Sequence, residues 1–319
     1  MYATGTILTE QIGDEARIAT CYDVFDAVLP ACGILDLSEG MYEGDPQRPY
    51  WRAQERQLQY LLDQIGCKAG SVILDIGCGN GTLLAAAQRR RAQAIGFTLA
   101  PAHVRQCQQR ELDVRLLNYR KLPKHWQAAF DGIVANGSLE HFVQPAEAAA
   151  GLADAIYREF FEICHWLLRP HRCSRLVTAA IHYRRFIGDP VLMQKSPTSF
   201  AWGSDNFHMA ILAQAFGGSY PQAGQLQRCS EGMFELIEVV DGTEDYRLTS
   251  EWGLEHVRRC LLHPLWGWGV WARFLPAVLR NWRQGRLILL LLWSESWQWQ
   301  FRGDDPPMRL FRHTWQRID

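Results

Sequence analysis

Metal-ligand and disulfide patterns are missing from this sequence of 319 residues. Its nine cysteines, at 21, 32, 67, 78, 107, 164, 173, 229 and 260, are odd in number and include no Cys-x-x-Cys pair. That argues against a zinc site or a disulfide framework and for a reducing compartment such as the cytoplasm. Neither sign of charge is in excess. Lys and Arg number 33 against 34 Asp and Glu, so nothing in the balance points to nucleic acid. Long apolar runs are absent too: the longest, Leu287 to Trp293, falls far short of the roughly 20 residues a spanning helix needs. Met1 to Glu15 lack the basic start and apolar stretch of a signal peptide. No Gly-Lys-Ser/Thr occurs, which removes a Walker phosphate loop. No internal repeat or low-complexity segment is present. What the chain has is apolar mass, 48% of its residues, enough for a sizeable core and against global disorder.

Tryptophan is unevenly placed. Nine of the thirteen follow residue 250, and Trp266-Gly-Trp-Gly-Val-Trp271 stands near Arg273, Arg280, Arg283 and Arg286. Two readings apply: a Trp-rich core or tunnel wall, which is preferred, or an interfacial segment over 262–286 that touches a membrane surface.

The most informative stretch is Ser71-Val-Ile-Leu-Asp-Ile-Gly-Cys-Gly-Asn-Gly81. A short apolar strand ends in Asp75, then glycines fall at 77, 79 and 81, then an alanine-rich helix begins. Such a turn needs glycine where a Cβ would clash or where a ligand approaches main chain. A dinucleotide fingerprint wants its third glycine one position later, at Thr82, and an acid at the end of the second strand, where Gly96-Phe-Thr-Leu99 stands. The spacing Asp-x-Gly-x-Gly-x-Gly instead suits the first loop of an S-adenosylmethionine (SAM) methyltransferase.

Strand and helix patterns alternate from residue 71, the sign of a parallel sheet covered on both faces. Strands are expected at 72–75, 93–98, 114–118, 131–135, 175–181, 234–240 and 308–316. Helices are expected at 83–90, 101–110, 146–168, 250–280 and 286–300. The fold class is therefore α/β, a class I methyltransferase Rossmann-like arrangement with seven mostly parallel strands. It forms a single domain: a helical N-terminal cap (1–70), a SAM-binding core (71–182), an irregular lid insertion (183–232) and a Trp-rich part completing the sheet (233–319). Ligands bind off the carboxyl ends of such strands. That assigns the methionine part of SAM to Asp75–Gly81, ribose and adenine to Thr98, Leu99 and His103, the adenine amino group to Asn118 beside Tyr119, and the methyl group to the loop from Asn136 to Phe142. There Glu140 is the candidate base or cation stabiliser and His141 a second candidate.

These segments carry a resemblance. Tyr22-Asp-Val-Phe25 with Leu35-Asp36, the Val72–Gly81 loop, Gly96-Phe-Thr-Leu-Ala100, Asn118-Tyr-Arg120, Leu139-Glu-His-Phe142, Tyr220-Pro221 and Gly242–Tyr246 are similar to elements of the cyclopropane-fatty-acid and mycolic-acid synthase family of SAM-dependent C-methyltransferases. The resemblance is strong to about residue 142 and patchy beyond. It implies methyl transfer to carbon of an apolar, unsaturated, lipid-like or isoprenoid-like substrate through a carbocation, with ring closure in some members. It implies cofactor contacts from Tyr42, Asp75, Gly77, Cys78, Gly79, Asn80, Gly81, Thr98, Leu99, His103, Asn118, Tyr119 and Asn136, with His103 replacing a ribose-binding Gln. Cyclopropane-forming members hold bicarbonate with Cys, Glu, His and Tyr. Glu140 and Tyr246 match, whereas the Cys falls near Gly44 and the His near Ala179, which argues against bicarbonate and makes Glu140 or Tyr246 the base. Plant alkaloid N-methyltransferases of the same ancestry carry an acid where this chain has Gly137, so N- or O-methylation of a small metabolite is the alternative. An inactive SAM-binding or membrane-surface protein is a third reading.

Overall fold

The computed structural model describes residues 17–184 and 190–319. Seven strands form one sheet: β1 (Val72–Ile76), β2 (Gln93–Thr98), β3 (Asp113–Leu116), β4 (Gly132–Asn136), β5 (Arg175–Tyr183), β6 (Phe234–Asp241) and β7 (Met308–Arg317). Their order is β3-β2-β1-β4-β5-β7-β6, parallel except for β7, which runs antiparallel between β5 and β6. This is the seven-stranded α/β class expected from the sequence. The edge strand β6 carries Glu235, Glu238 and Asp241, acids that discourage pairing with another chain.

Helices cover both faces. Ile73 and Val134 point to a cluster with Leu61 and Leu62 of α2 (Tyr50–Gln64) and Leu84 of α3 (Thr82–Arg89). Leu74 and Ile133, one residue along, join the opposite cluster with Tyr157, Phe160 and Phe161 of α6 (Ala153–Leu167). The alternation is the period of two that a strand imposes. Helix α4 (Pro101–Gln109) follows β2.

The helix expected at 146–168 is two, α5 (Pro145–Ala149) and α6, because Gly151 turns left-handed at φ 73° between them. The 183–232 stretch, expected to be irregular, is largely helical. It holds α7 (Pro190–Met193), α8 (Asp205–Leu212), a π turn (Ala213–Gly217) and α9 (Gln225–Ser230), while 185–189 lie outside the described residues. Helices expected at 250–280 and 286–300 are four: α10 (Thr243–Leu262), α11 (Gly267–Arg280), α12 (Trp282–Ser294) and α13 (Ser296–Trp299). Pro264 forces His263 into an extended conformation (ψ 127°), which ends α10. These helices share a second core with the N-terminal helix α1 (17–28), where Val24 and Phe25 meet Phe207, Leu254, Phe274 and Trp297.

Trp315 of β7 is fully buried. Its indole N–H donates to Thr178 Oγ1 at 3.0 Å and its ring meets Phe161 edge-on at 5.1 Å. Trp315→Ala is expected to cost about 3–5 kcal/mol through cavity formation and the stranded hydroxyl. Urea unfolding checks this, and a loss below about 1 kcal/mol would mean that the sheet closes over the gap.

Candidate active site

Glycines turn the chain out of β1. Gly77 and Gly81 are left-handed, at φ 77° and 73°. A Cβ on Gly77 would lie 2.6 Å from Ser138 Cβ, and one on Gly81 2.7 Å from Leu112 Cδ1, so larger residues fit neither place. The N–H groups of Gly77 and Cys78 donate to the Phe97 carbonyl at 3.0 and 3.1 Å and tie the turn to the end of β2.

A cavity of about 320 Å³ opens beside this turn. It is lined by Asp75, Gly77, Cys78, Gly79 and Asn80, by Thr98, Leu99 and His103, by Asn118 and Tyr119, by Asn136 and by His141 and Tyr246. Three expected site residues do not line it. Gly81 packs against Leu112 and against Cys107 of α4 instead, and Tyr42 is buried with its N–H on Asp245 Oδ1 at 2.7 Å. Glu140 is the third.

Several side chains build the walls rather than present free groups. The Asn80 amide donates to the Leu35 carbonyl and so holds Asp36 at the cavity. Asp36 Oδ2 accepts from Thr82 Oγ1 at 2.6 Å. Burial pushes the Asp75 carboxyl up to about 8, and the Asp36 carboxylate adds to the shift. Thr98 Oγ1 caps the turn by accepting from Ala100 N–H at 3.2 Å. Asn118 Oδ1 accepts from Arg120 N–H at 2.8 Å, and Tyr119 stacks on Phe142 at 4.4 Å to give a flat aromatic wall. His103 Nε2 lies 3.3 Å from Asp26 Oδ2, and its buried Nδ1 has no partner.

The Glu140-His141 pair sits on a short 3-10 turn after β4. His141 Nδ1 lies 3.0 and 3.1 Å from the carbonyls of Phe216 and Gly217, so it carries the proton. His141 Nε2 then accepts from the Tyr22 hydroxyl at 2.8 Å. Burial lowers the His141 pKa and keeps the ring neutral. Glu140 Oε1 accepts from Ile181 N–H at 2.7 Å, while Oε2 is buried without a partner. Burial pushes this carboxyl up to about 8. It borders a separate, small cavity of about 10 Å³ with Tyr183 and Tyr220. Burial raises the Tyr246 hydroxyl, and the charges of Glu39 and Glu140 add to the shift.

Sequence reasoning missed Glu39, which lines the main cavity. A charged residue in a glycine- and proline-rich stretch reads as solvated, and no local pattern marked it. Gln57 Nε2, fully buried, donates to Glu39 Oε1 at 2.6 Å and lies 3.3 Å from Asn136 Oδ1. Gly44, where the family's cysteine was expected, is exposed and away from the cavity, and Ala179 is buried in β5. Chain enters the cavity wall at Asp36–Glu39 instead.

The profile of the mycolic acid cyclopropane synthetase family matches residues 18–192, more than half of the chain. The chain belongs to this family. A probable fatty acid methyltransferase of Pseudomonas putida is 30% identical over 138 residues, 40% of this chain and 34% of the relative. Cyclopropane mycolic acid synthase 1 of Mycobacterium tuberculosis is 27% identical over 184 residues, 56% of this chain and 58% of the relative. The chain thus spans between a third and three fifths of the curated relatives it matches. The solved mycolic acid cyclopropane synthase CmaA1, complexed with SAH and CTAB, superposes with a TM-score of 0.65 at 18% identity, covering 95% of this chain and 98% of that one. At that identity the likeness is one of fold.

Asp75 and Glu140 have raised proton affinities, so the folded state keeps protons that the unfolded chain releases above about pH 4. Their stabilising contribution is full below that pH and is lost as pH rises toward 8. Melting temperatures across pH 5–8 should fall less steeply for Asp75→Asn and Glu140→Gln than for the parent protein. Identical slopes in all three would show that these carboxyls titrate normally.

Proposed function

We propose that the protein is a SAM-dependent methyltransferase acting on carbon of an apolar, unsaturated acyl or isoprenoid substrate. The observation that carries this reading is the single cavity in which the glycine turn and Asp75 meet apolar and aromatic walls, Phe25, Leu37, Phe216, Tyr246 and Trp297 among them. The residues fit the cofactor. Space above Gly79 leaves main chain open to a ligand, buried Asp75 suits an ammonium group, and the Tyr119–Phe142 stack suits a purine. SAM supplies an electrophilic methyl group when bound. Around it the chain excludes water with apolar side chains, holds Tyr22 through neutral His141, and keeps carboxylates near a developing positive charge. N-methylation is the second reading, favoured by the same carboxylates, which also suit an ammonium ion.

Methyl-labelled SAM incubated with vesicles of dioleoylphosphatidylglycerol or with a panel of tertiary-amine precursors separates the two by where label appears. Glu140 borders the smaller cavity, so Glu140→Gln tests whether it acts on the main one from there: a catalytic role requires unchanged SAM affinity and turnover lowered about a hundredfold, the scale of a lost acid–base group. Near-normal turnover would remove Glu140 from the chemistry, and absence of SAM binding in calorimetry would remove the methyltransferase reading.

The substrate class agrees with the outer face of α11 and α12. Trp297 and Trp315 are buried and Trp252, Trp271 and Trp299 half-buried, but Trp266, Trp268, Trp282 and Trp293 are exposed, Trp268 to 81%. Leu262, Leu265 and Leu279 are exposed beside them. Residues 263–294 include four arginines, all exposed, and no acid. Such a face suits an anionic lipid surface, each arginine adding about 1 kcal/mol at low salt. Among the described residues no helix is long and apolar enough to cross a membrane, so contact would be peripheral. In flotation assays the protein should rise with phosphatidylglycerol vesicles and less with phosphatidylcholine, and a Trp266→Ala, Trp268→Ala, Trp282→Ala variant should bind at least about fivefold more weakly. Equal flotation of variant and parent would dismiss this face.

A further inference from the structure

Two buried acids stand near the end of the cavity at Tyr246, and their situations differ. Glu140 is engaged by the Ile181 N–H and borders the smaller cavity. Glu39 opens onto the main one. The geometry points to Glu39 as the counter-charge for a positively charged centre in this cavity, an onium group or a carbocation, oriented by Gln57 and faced by the rings of Tyr246 and Trp297. This rests on the methyl-transfer reading of the same cavity.

Three observations support it. First, Glu39 is held to the sheet rather than carried loosely on a turn. Gln57 has no exposed surface, donates to Glu39 Oε1 at 2.6 Å, and its amide reaches Asn136 Oδ1, at the end of β4, at 3.3 Å. A carboxylate so fixed needs no reorganisation when charge develops beside it. Second, the nearby buried cation is already committed. Arg312 directs Nη1 to Asp245 Oδ2 at 2.9 Å and Nη2 to the Gly40 carbonyl at 3.1 Å. It lowers the proton affinity of Glu39, but burial outweighs it, and Asp36 and Asp245 add further negative charge. Third, Glu140 Oε2 is buried without a partner and feels the charge of Glu39. Two acids this close inside an apolar wall do not both ionise readily, and a cationic guest supplies the missing positive charge. The Tyr246 and Trp297 rings, edge to face with centroids 6.5 Å apart, offer the π surfaces that favour a cation.

The test uses the full chain saturated with S-adenosyl-L-homocysteine. Decyltrimethylammonium and neutral 1-decanol, both below aggregation, are titrated by calorimetry. The parent protein should bind the cation more tightly than the alcohol. Glu39→Gln should lose at least about tenfold in affinity for decyltrimethylammonium while its affinities for 1-decanol and S-adenosyl-L-homocysteine stay unchanged. Glu39→Asp, which withdraws the carboxylate by one methylene, should lose several-fold for the cation alone, and it serves as the test if the Gln variant does not fold. Parent-like cation affinity in the variants, or no preference for the cation in the parent, overturns the assignment. Failure of the parent to bind S-adenosyl-L-homocysteine overturns the methyltransferase reading instead, so the two failures are distinguishable.

Discussion

A guanidinium with no exposed surface joins three distant parts of this chain. Arg312 lies in the middle of β7, pairs with Asp245 near the start of α10, and donates to the carbonyl of Gly40 in the N-terminal segment. Asp245 turns its other oxygen to the Tyr42 N–H, and Thr249 Oγ1, one helical turn on, accepts from the Gly40 N–H. Neither glycine at this junction has room for a side chain: a Cβ on Gly40 would lie 2.7 Å from Ala53 Cβ, and one on Gly242 would overlap the guanidinium. Removing one partner of such a buried, hydrogen-bonded pair strands the other charge, which is why the arrangement fixes the path of residues 38–42 so firmly. Glu39 is on that path, so its place in the cavity wall is set by a strand formed at the other end of the sequence.

The cavity has a consistent electrical character. Two of the carboxyls that line it, Asp75 and Glu39, are buried among apolar and aromatic groups, Glu140 lies close behind, and burial dominates the shift of each. His141, the neighbouring base, is kept neutral by the same burial. Low-dielectric walls strengthen any attraction between these acids and a cation while making the empty site costly. A site that disfavours its own charges until a positive guest arrives suits chemistry in which positive charge is delivered and then moves.

Two helices packed behind that cavity also have an outside. α11 and α12 bury Phe274, Val278, Ile288 and Leu291 against a core that includes Phe25 and Trp297, both cavity-lining residues. Their opposite face shows Trp266, Trp268 and Trp282 together with Arg273, Arg280, Arg283 and Arg286. One side of the pair thus helps shape an apolar interior while the other meets solvent with a basic, aromatic surface, as an interfacial helix does.

The sequence by itself determined what is local. Period-two and period-3.6 patterns placed the seven strands within a residue or two, since each strand of a covered sheet must be apolar and each turn must hold its own special residues. The glycines at 77, 79 and 81 announced the tight turn after β1 because backbone conformation and close approach are decided there by the residue itself. Helix ends after 243 were less legible: Pro264 ends one helix while Pro276 is tolerated inside the next, and only packing distinguishes them. Tertiary structure alone decided which acids face the cavity. Glu140 was conspicuous beside His141 yet borders a different space, and Glu39 was inconspicuous yet lines the main one. It also decided which tryptophans are inside. Those outcomes depend on contacts across hundreds of residues, such as Arg312 with Gly40, and no spacing along a chain encodes which of two equally polar side chains a distant strand will turn inward.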